Sequence, residues 1–249
     1  MGLLAIIGGS GFASLPSLSV IDSRPVETPY GETSAPVARG RLGDREVLFL
    51  PRHGPSHHLP PHGINYRANL WALRASQAER VVALAAVGGI TPAYGPRVLA
   101  VPDQIIDYTH GREHTLHDGV SGTVGHIDLT EPYCEDLRRA LIAACARLGR
   151  SVVVGGTYGA TQGPRLETRA EILRYERDGC DMVGMTGMPE ASLARELGLC
   201  YASLAFVVNW AAGKSGRIIT MKEIEENLVS SVEPVMAVLT AVAAENRAA

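Results

Sequence analysis

Residues 1–12 read MGLLAIIGGSGF, and the fold turns on how that apolar run ends. Leu3–Ile7 has the length of a buried strand and stops at glycines before a helix could form. No positive charge precedes it, so it reads as a first core strand and not as a secretory leader. Gly8–Gly11 (GGSG) directly after it lets the main chain approach an anion, with free amides and Ser10 as donors. A dinucleotide fold would need G-x-G-x-x-G leading into a helix. Here Gly9-Ser-Gly11 is followed by Phe-Ala-Ser with no third glycine, which disfavours that fold. A plain tight turn remains the alternative at this point.

Working outward, short apolar runs bounded by Gly or Pro recur. They predict strands at Glu46–Leu50, Val81–Ala86, Val98–Val101, Val152–Gly156, Met182–Met185 and Tyr201–Val208. Helical patterns fall at Asn65–Gln77, Glu131–Leu148, Thr168–Asp178, Pro189–Leu197 and Met221–Glu245. Such alternation predicts an α/β fold, a single domain over 1–249 whose largely parallel sheet is covered on both faces. The stretch Asp103–Leu129 has no pattern and is rich in His, Gly and Asp, as functional or interface loops are.

The 249 residues are 46% hydrophobic but only 5% aromatic, so the core must be aliphatic. A net charge of −3 without a basic run argues against nucleic acid, whose backbone demands clustered positive charge. No apolar run reaches the roughly 20 residues a bilayer span needs, so no membrane partner is expected. Cys134, Cys145, Cys180 and Cys200 lie far apart without C-x-x-C, neither a zinc site nor a disulfide framework by spacing. The expectation is buried reduced thiols in a cytoplasmic protein.

Four further segments carry chemistry. PRHGPSHH (Pro51–His58) places Arg52, His53 and His57 at a strand end, where an arginine fork suits phosphate. A metal reading of its histidines lacks the HExxH pattern, so none is expected to bind metal. GMTGMPE (Gly184–Glu190) puts the Thr186 hydroxyl at a strand mouth, as a ligand contact or a turn cap. FVVNWAAGKSG (Phe206–Gly216) puts Asn209 at the same edge, where a buried amide needs partners. Its GKS is no P-loop, because Val208 stands where the first glycine belongs. In QGPRLETRAE (Gln162–Glu171), Thr168 and Glu171 form a capping box, which leaves Glu167 as a spare carboxylate on a shaped loop.

In this order the segments resemble the trimeric purine nucleoside phosphorylase and methylthioadenosine phosphorylase family. INYRANLWAL (Ile64–Leu73), HIDLTEPYC (His126–Cys134) and LCYASLAF (Leu199–Phe206) add to the similarity. The resemblance implies a twisted mixed sheet among helices, a homotrimer, and phosphorolysis of an N-glycosidic bond. Phosphate is then a co-substrate, and neither metal nor organic cofactor is needed. By position, Ser10, Arg52, His53, Ala86 and Thr186 match the phosphate site, with Ala85 adjoining. Met185 matches the residue under the ribose, and Leu166 stands where a phenylalanine often packs on the base. Glu167, Asn209, Trp210 and Ala211 match the base site.

The 6-oxopurine enzymes of this family carry Glu and Asn where this chain has Glu167 and Asn209. An ionised Glu167 accepts the N1–H of hypoxanthine but would face the N1 lone pair of adenine. Relatives that cleave inosine meet the 5′-hydroxyl with a histidine from the C-terminal helix region, whereas all eight histidines here lie at or before His126. Met221 and Ile224 align with apolar residues that touch a methylthio group, although both could be ordinary core positions. His57, and His126 from a neighbouring subunit, are expected to close that pocket. The expected substrate is a 5′-methylthio 6-oxopurine nucleoside. The alternatives are a general inosine/guanosine phosphorylase, a methylthioadenosine phosphorylase, and a nucleoside-binding protein without turnover.

Overall fold

The apolar run of the N-terminus forms β1 (Leu3–Gly8), parallel to both of its neighbours, β4 (Arg45–Pro51) and β5 (Ala78–Gly89). Only Leu3 of the six is not fully buried, as expected of a strand covered on both faces. This is a computed structural model, and it describes residues 3–120, 122 and 124–245.

Among the described residues, eleven strands make one mixed sheet. Along its main path lie β2 (Leu18–Arg24), β3 (Val37–Leu42), β4, β1, β5, β10 (Met182–Gly184), β9 (Thr157–Ala160) and β7 (Gln104–Asp107). The long β5 also pairs in parallel with β11 (Cys200–Trp210), which continues to β6 (Leu99–Val101) and β8 (Val152–Val154). Successive residues of β1 point to opposite faces. Ala5 and Ile7 join a core with α1 (Tyr66–Ala75) and α4 (Gly187–Glu196). Leu4 and Ile6 join a second core with α2 (Glu135–Arg147) and α5 (Met221–Glu245). α3 (Arg169–Arg177) packs Ile172 and Tyr175 into a smaller cluster, and its N-terminus has the expected Thr168–Glu171 capping box.

The structure corrects several expectations. β2, β3, β7 and β9 were not visible in the sequence. β2 is an edge strand with most of its side chains in solvent, and β3 carries two arginines and a glycine in six residues. β7 lies within the stretch that showed no pattern, and the rest of that stretch among the described residues is irregular. Cys134 and Cys200 are not free thiols. The start of α2 lies beside the start of β11, where Cys134 N–H donates to Tyr201 C=O at 2.7 Å, and the two sulfurs are joined in a disulfide. Cys145 and Cys180 are buried and free, as expected. α5 is long and apolar enough to cross a membrane by length and composition, which the sequence reading did not allow. It buries Ile224, Val235, Val238, Leu239 and Val242 against the sheet instead.

Candidate active site

A cleft of about 890 Å³ opens where the segments after β1, β4 and β10 meet the middle of β5 and the end of β11. Gly9 shapes its floor. A Cβ there would sit 2.5 Å from the Leu84 carbonyl oxygen, so only glycine lets the GGSG turn lie against β5. Ser10 follows at the cleft wall.

Arg52 lies across from it and is 1% exposed. Its fork is not free for an anion, contrary to the sequence reading. Nε donates to Glu190 Oε1 at 2.7 Å and Nη2 to Oε2 at 2.8 Å, while Nη1 donates to the Leu84 carbonyl at 3.1 Å. Burial opposes the charge, but the Glu190 carboxylate outweighs it and raises the guanidinium's pKa. One hydrogen on each terminal nitrogen is left over for a ligand.

His53 is buried beside Arg52. Its Nδ1 lies 2.8 Å from the Leu59 carbonyl, which can only accept, so Nδ1 carries the proton and Nε2 presents a lone pair. Burial, then the Arg52 charge, push its pKa down to about 4. His53 is therefore neutral at pH 7 and suits a protonated phosphate oxygen. His57 stacks on it with ring centroids 4.5 Å apart, and its Nε2 lies 3.1 Å from Ser10 Oγ. His57 thus stands with the Ser10–His53 group as well as on the cleft lining. Thr186 completes this end. It is buried and precedes α4, but its side chain makes no cap bond, which removes the turn-cap reading. Ala85 and Ala86 of β5 and Met185 after β10 form the adjoining wall.

The loop carrying Leu166 and Glu167 forms the opposite wall. At Gly163 of this loop φ is +59° and a Cβ would lie 2.4 Å from Met185 Sδ, so both conformation and contact demand glycine. Glu167 is half-buried, and its Oε1 accepts from the Thr161 hydroxyl at 2.7 Å. Burial raises its pKa, and the Thr161 bond works against that rise. Asn209 is buried beyond a bulge in β11 that breaks the register between Val207 and Asn209. Bulges of this kind re-aim a side chain beside a site. Asn209 Nδ2 donates to the Trp210 carbonyl at 2.8 Å, which fixes the amide orientation and leaves one N–H and Oδ1.

Met221, Ile224, Leu228 and Val232 of α5 line the remaining end, an apolar surface with the exposed carboxylate of Glu225 beside it. Three predicted residues fall outside this cleft. Trp210 packs its ring against Gly95. Ala211 belongs to the small core around α3. His126 is exposed on the irregular stretch. The sequence reading had missed Glu190, Thr161 and Glu225. Glu190 had a signal: it is the one acid in the otherwise uncharged GMPEASLA, and a buried acid needs a partner. Thr161 and Glu225 had none.

A profile of the phosphorylase superfamily matches residues 3–244. The chain belongs to that superfamily. Among individual superfamily members, it is 54% identical over 242 residues to a protein named probable S-methyl-5′-thioinosine phosphorylase from Pseudomonas syringae pv. tomato. That alignment covers 97% of this chain and 98% of the relative. It is 46% identical to the 6-oxopurine nucleoside phosphorylase of Pyrococcus furiosus, over 97% of this chain and 92% of the other. Among solved structures, the methylthioadenosine phosphorylase of Schistosoma mansoni in complex with adenine superposes with a TM-score of 0.93 at 34% identity, covering 98% of this chain and 91% of that one.

Proposed function

We propose that the chain is a pentosyltransferase that cleaves S-methyl-5′-thioinosine with phosphate, giving hypoxanthine and 5-methylthioribose 1-phosphate. The observation that carries this reading is Glu167, a half-buried carboxylate that accepts from Thr161 and stands on the wall of the same cleft as Asn209. An ionised carboxylate there accepts the N1–H of a 6-oxopurine. The name of the 54% identical relative points the same way.

In this reading Ser10, Thr186 and the free Arg52 hydrogens hold HPO₄²⁻, with one protonated oxygen donating to His53 Nε2. A phosphate oxygen bonds to C1′ as the C1′–N9 bond breaks, through a ribosyl-cation-like state. The N9 electron pair moves into the purine toward N7 and O6, where the Asn209 amide meets it. The proton brought by HPO₄²⁻ ends on the base, so charge balances. Leu166 packs on the base, Met185 lies under the sugar, and Met221 and Ile224 receive the methylthio group. We further propose that the enzyme is a cytoplasmic homotrimer needing no metal or organic cofactor. Exposed apolar Val120, Val124 and Ile127 beside His126 support a partner subunit at that segment.

A general 6-oxopurine nucleoside phosphorylase is the second reading, favoured by Glu225 at the rim, which could meet a 5′-hydroxyl. Phosphate-dependent kcat/KM for methylthioinosine, inosine and methylthioadenosine separates the two. Methylthioinosine far ahead supports the proposal, and inosine equal to it favours the second reading. Methylthioadenosine in front would overturn the role of Glu167. Absence of base release would leave only a nucleoside-binding protein.

A further inference from the structure

The irregular stretch after β7 lines little of the cleft, yet its Arg112 reaches beneath two of the cleft's walls. The side chain is buried and makes no ion pair among the described residues. Its guanidinium instead meets main-chain carbonyls. Nη1 donates to Met185 at 2.8 Å and Met188 at 2.7 Å, and Nη2 to Gln162 at 2.8 Å and Thr161 at 3.3 Å. The Tyr66 ring lies 5.5 Å from the guanidinium carbon, with its hydroxyl 3.3 Å from Nη1. A buried charge is costly unless dipoles or counter-charges surround it, and here four carbonyl dipoles do so.

Those carbonyls belong to two separate segments. Residues 161–162 lead into the loop of Glu167, and Thr161 itself donates to that carboxylate. Residues 185–188 contain Met185 and Thr186, at the phosphate end. The backbone around Arg112 is itself anchored to α4: Thr115 Oγ1 and the Leu116 N–H both donate to Glu196 at 2.7 Å. The planar fork presents four terminal N–H groups in fixed directions to acceptors on two segments, an arrangement that the compact, three-donor ammonium of lysine does not reproduce.

We propose that Arg112 is a positioning residue that holds the base-reading and phosphate-reading walls in one geometry. This rests on the phosphorolysis reading above. Misplacing reacting groups by about 1 Å costs roughly 10²-fold in rate. Arg112→Ala is therefore expected to lower kcat/KM by about 10²-fold, with KM raised for nucleoside and for phosphate together. Guanidinium chloride, far below unfolding concentrations, should restore part of that loss in Arg112→Ala and nothing in the wild type. Arg112→Lys should fold and still raise both KM values, which covers the case in which the alanine variant does not fold.

A variant that loses thermal stability while both KM values stay unchanged would overturn the proposal. So would a rise in one KM alone, or a folded Arg112→Ala that guanidinium does not rescue. Calorimetric titration with inorganic phosphate reads the 185–188 wall without turnover, and unchanged affinity in the variant would also overturn it. Absence of turnover in the wild type would instead sink the functional reading, and the phosphate titration would still decide the role of Arg112.

Discussion

The carboxylate of Glu190 grips the guanidinium of Arg52 in a fork, with parallel hydrogen bonds of 2.7 and 2.8 Å between side chains that are each 1% exposed. Tyr201 donates to the same carboxylate at 2.9 Å. The pair is electrically neutral as a unit, and His53 beside it is uncharged. In the proposed reading, this end of the cleft therefore holds phosphate through oriented donors on Ser10, Thr186, the GGSG amides and the spare Arg52 hydrogens, with little net positive charge.

Removing one partner of that pair strands the other in the core. Glu190→Gln should destabilise the fold by about 3–5 kcal/mol and raise the phosphate KM, because Arg52 loses the partner that aims it. Arg52→Met combined with Glu190→Leu should cost less stability than Glu190→Gln alone, since no buried charge is left unpaired. Denaturant midpoints of the variants check this, and a double variant weaker than the single would contradict it.

In the proposed function Glu167 reads the base, and its variant should separate activity from stability. Glu167→Gln can no longer accept N1–H without flipping its amide. We expect kcat/KM on 6-oxopurine nucleosides to fall by about 10²-fold or more, with the preference over adenine nucleosides shrinking. The folded carboxyl has its pKa raised by burial. Its stabilising contribution is thus full at pH below the unfolded value and lost as pH rises through the folded one. Glu167→Gln should therefore melt above the wild type at neutral pH, and the gap should close on acidification. Melting curves across that range test the sign.

What was legible in the sequence follows from physical strength of signal. β1, β5 and β11 are buried on both faces, so their composition alone marked them. β2 and β3 lie toward the sheet's edge and carry polar side chains, and only the ladder from β4 to β3 and from β3 to β2 makes them strands. The GGSG turn, the Thr168 cap and the α5 boundaries rest on local rules and were readable. The Arg52–Glu190 pair spans 138 positions and the Arg112 contacts up to 76, and no local pattern announces such distant partners. The Cys134–Cys200 bond was hidden for the same reason, because it depends on α2 starting beside β11.

His53 should shape the acid limb of the stability profile. Its folded pKa of about 4 lies below the ordinary 6.5. A depressed pKa contributes stability that is present above the unfolded value and lost as pH falls through the folded one. The loss between pH 6.5 and 4 amounts to roughly 3 kcal/mol at most. His53→Asn can still donate to the Leu59 carbonyl but does not titrate. Its unfolding free energy should change less over this window than the wild type's, and equal slopes would mean that His53 protonates in the folded state.

The 5′ end offers the sharpest test of substrate choice. Met221 is 64% exposed, and Ile224, one helical turn on, is buried. An apolar side chain at the rim of a cleft suits a methylthio group, whereas a hydroxyl pressed inward against the buried Ile224, away from water, would lose about 1–3 kcal/mol if left unpaired. Met221→His supplies a donor at that rim, where solvent access leaves room for an imidazole. Inosine should then gain on methylthioinosine by roughly 10-fold or more in kcat/KM, each 1.4 kcal/mol being a factor of ten. A ratio that does not move would place the 5′ group elsewhere, with Glu225 the next side chain to substitute. The base preference should be the same in both enzymes, because Glu167 and Asn209 stand on different segments of the cleft from α5.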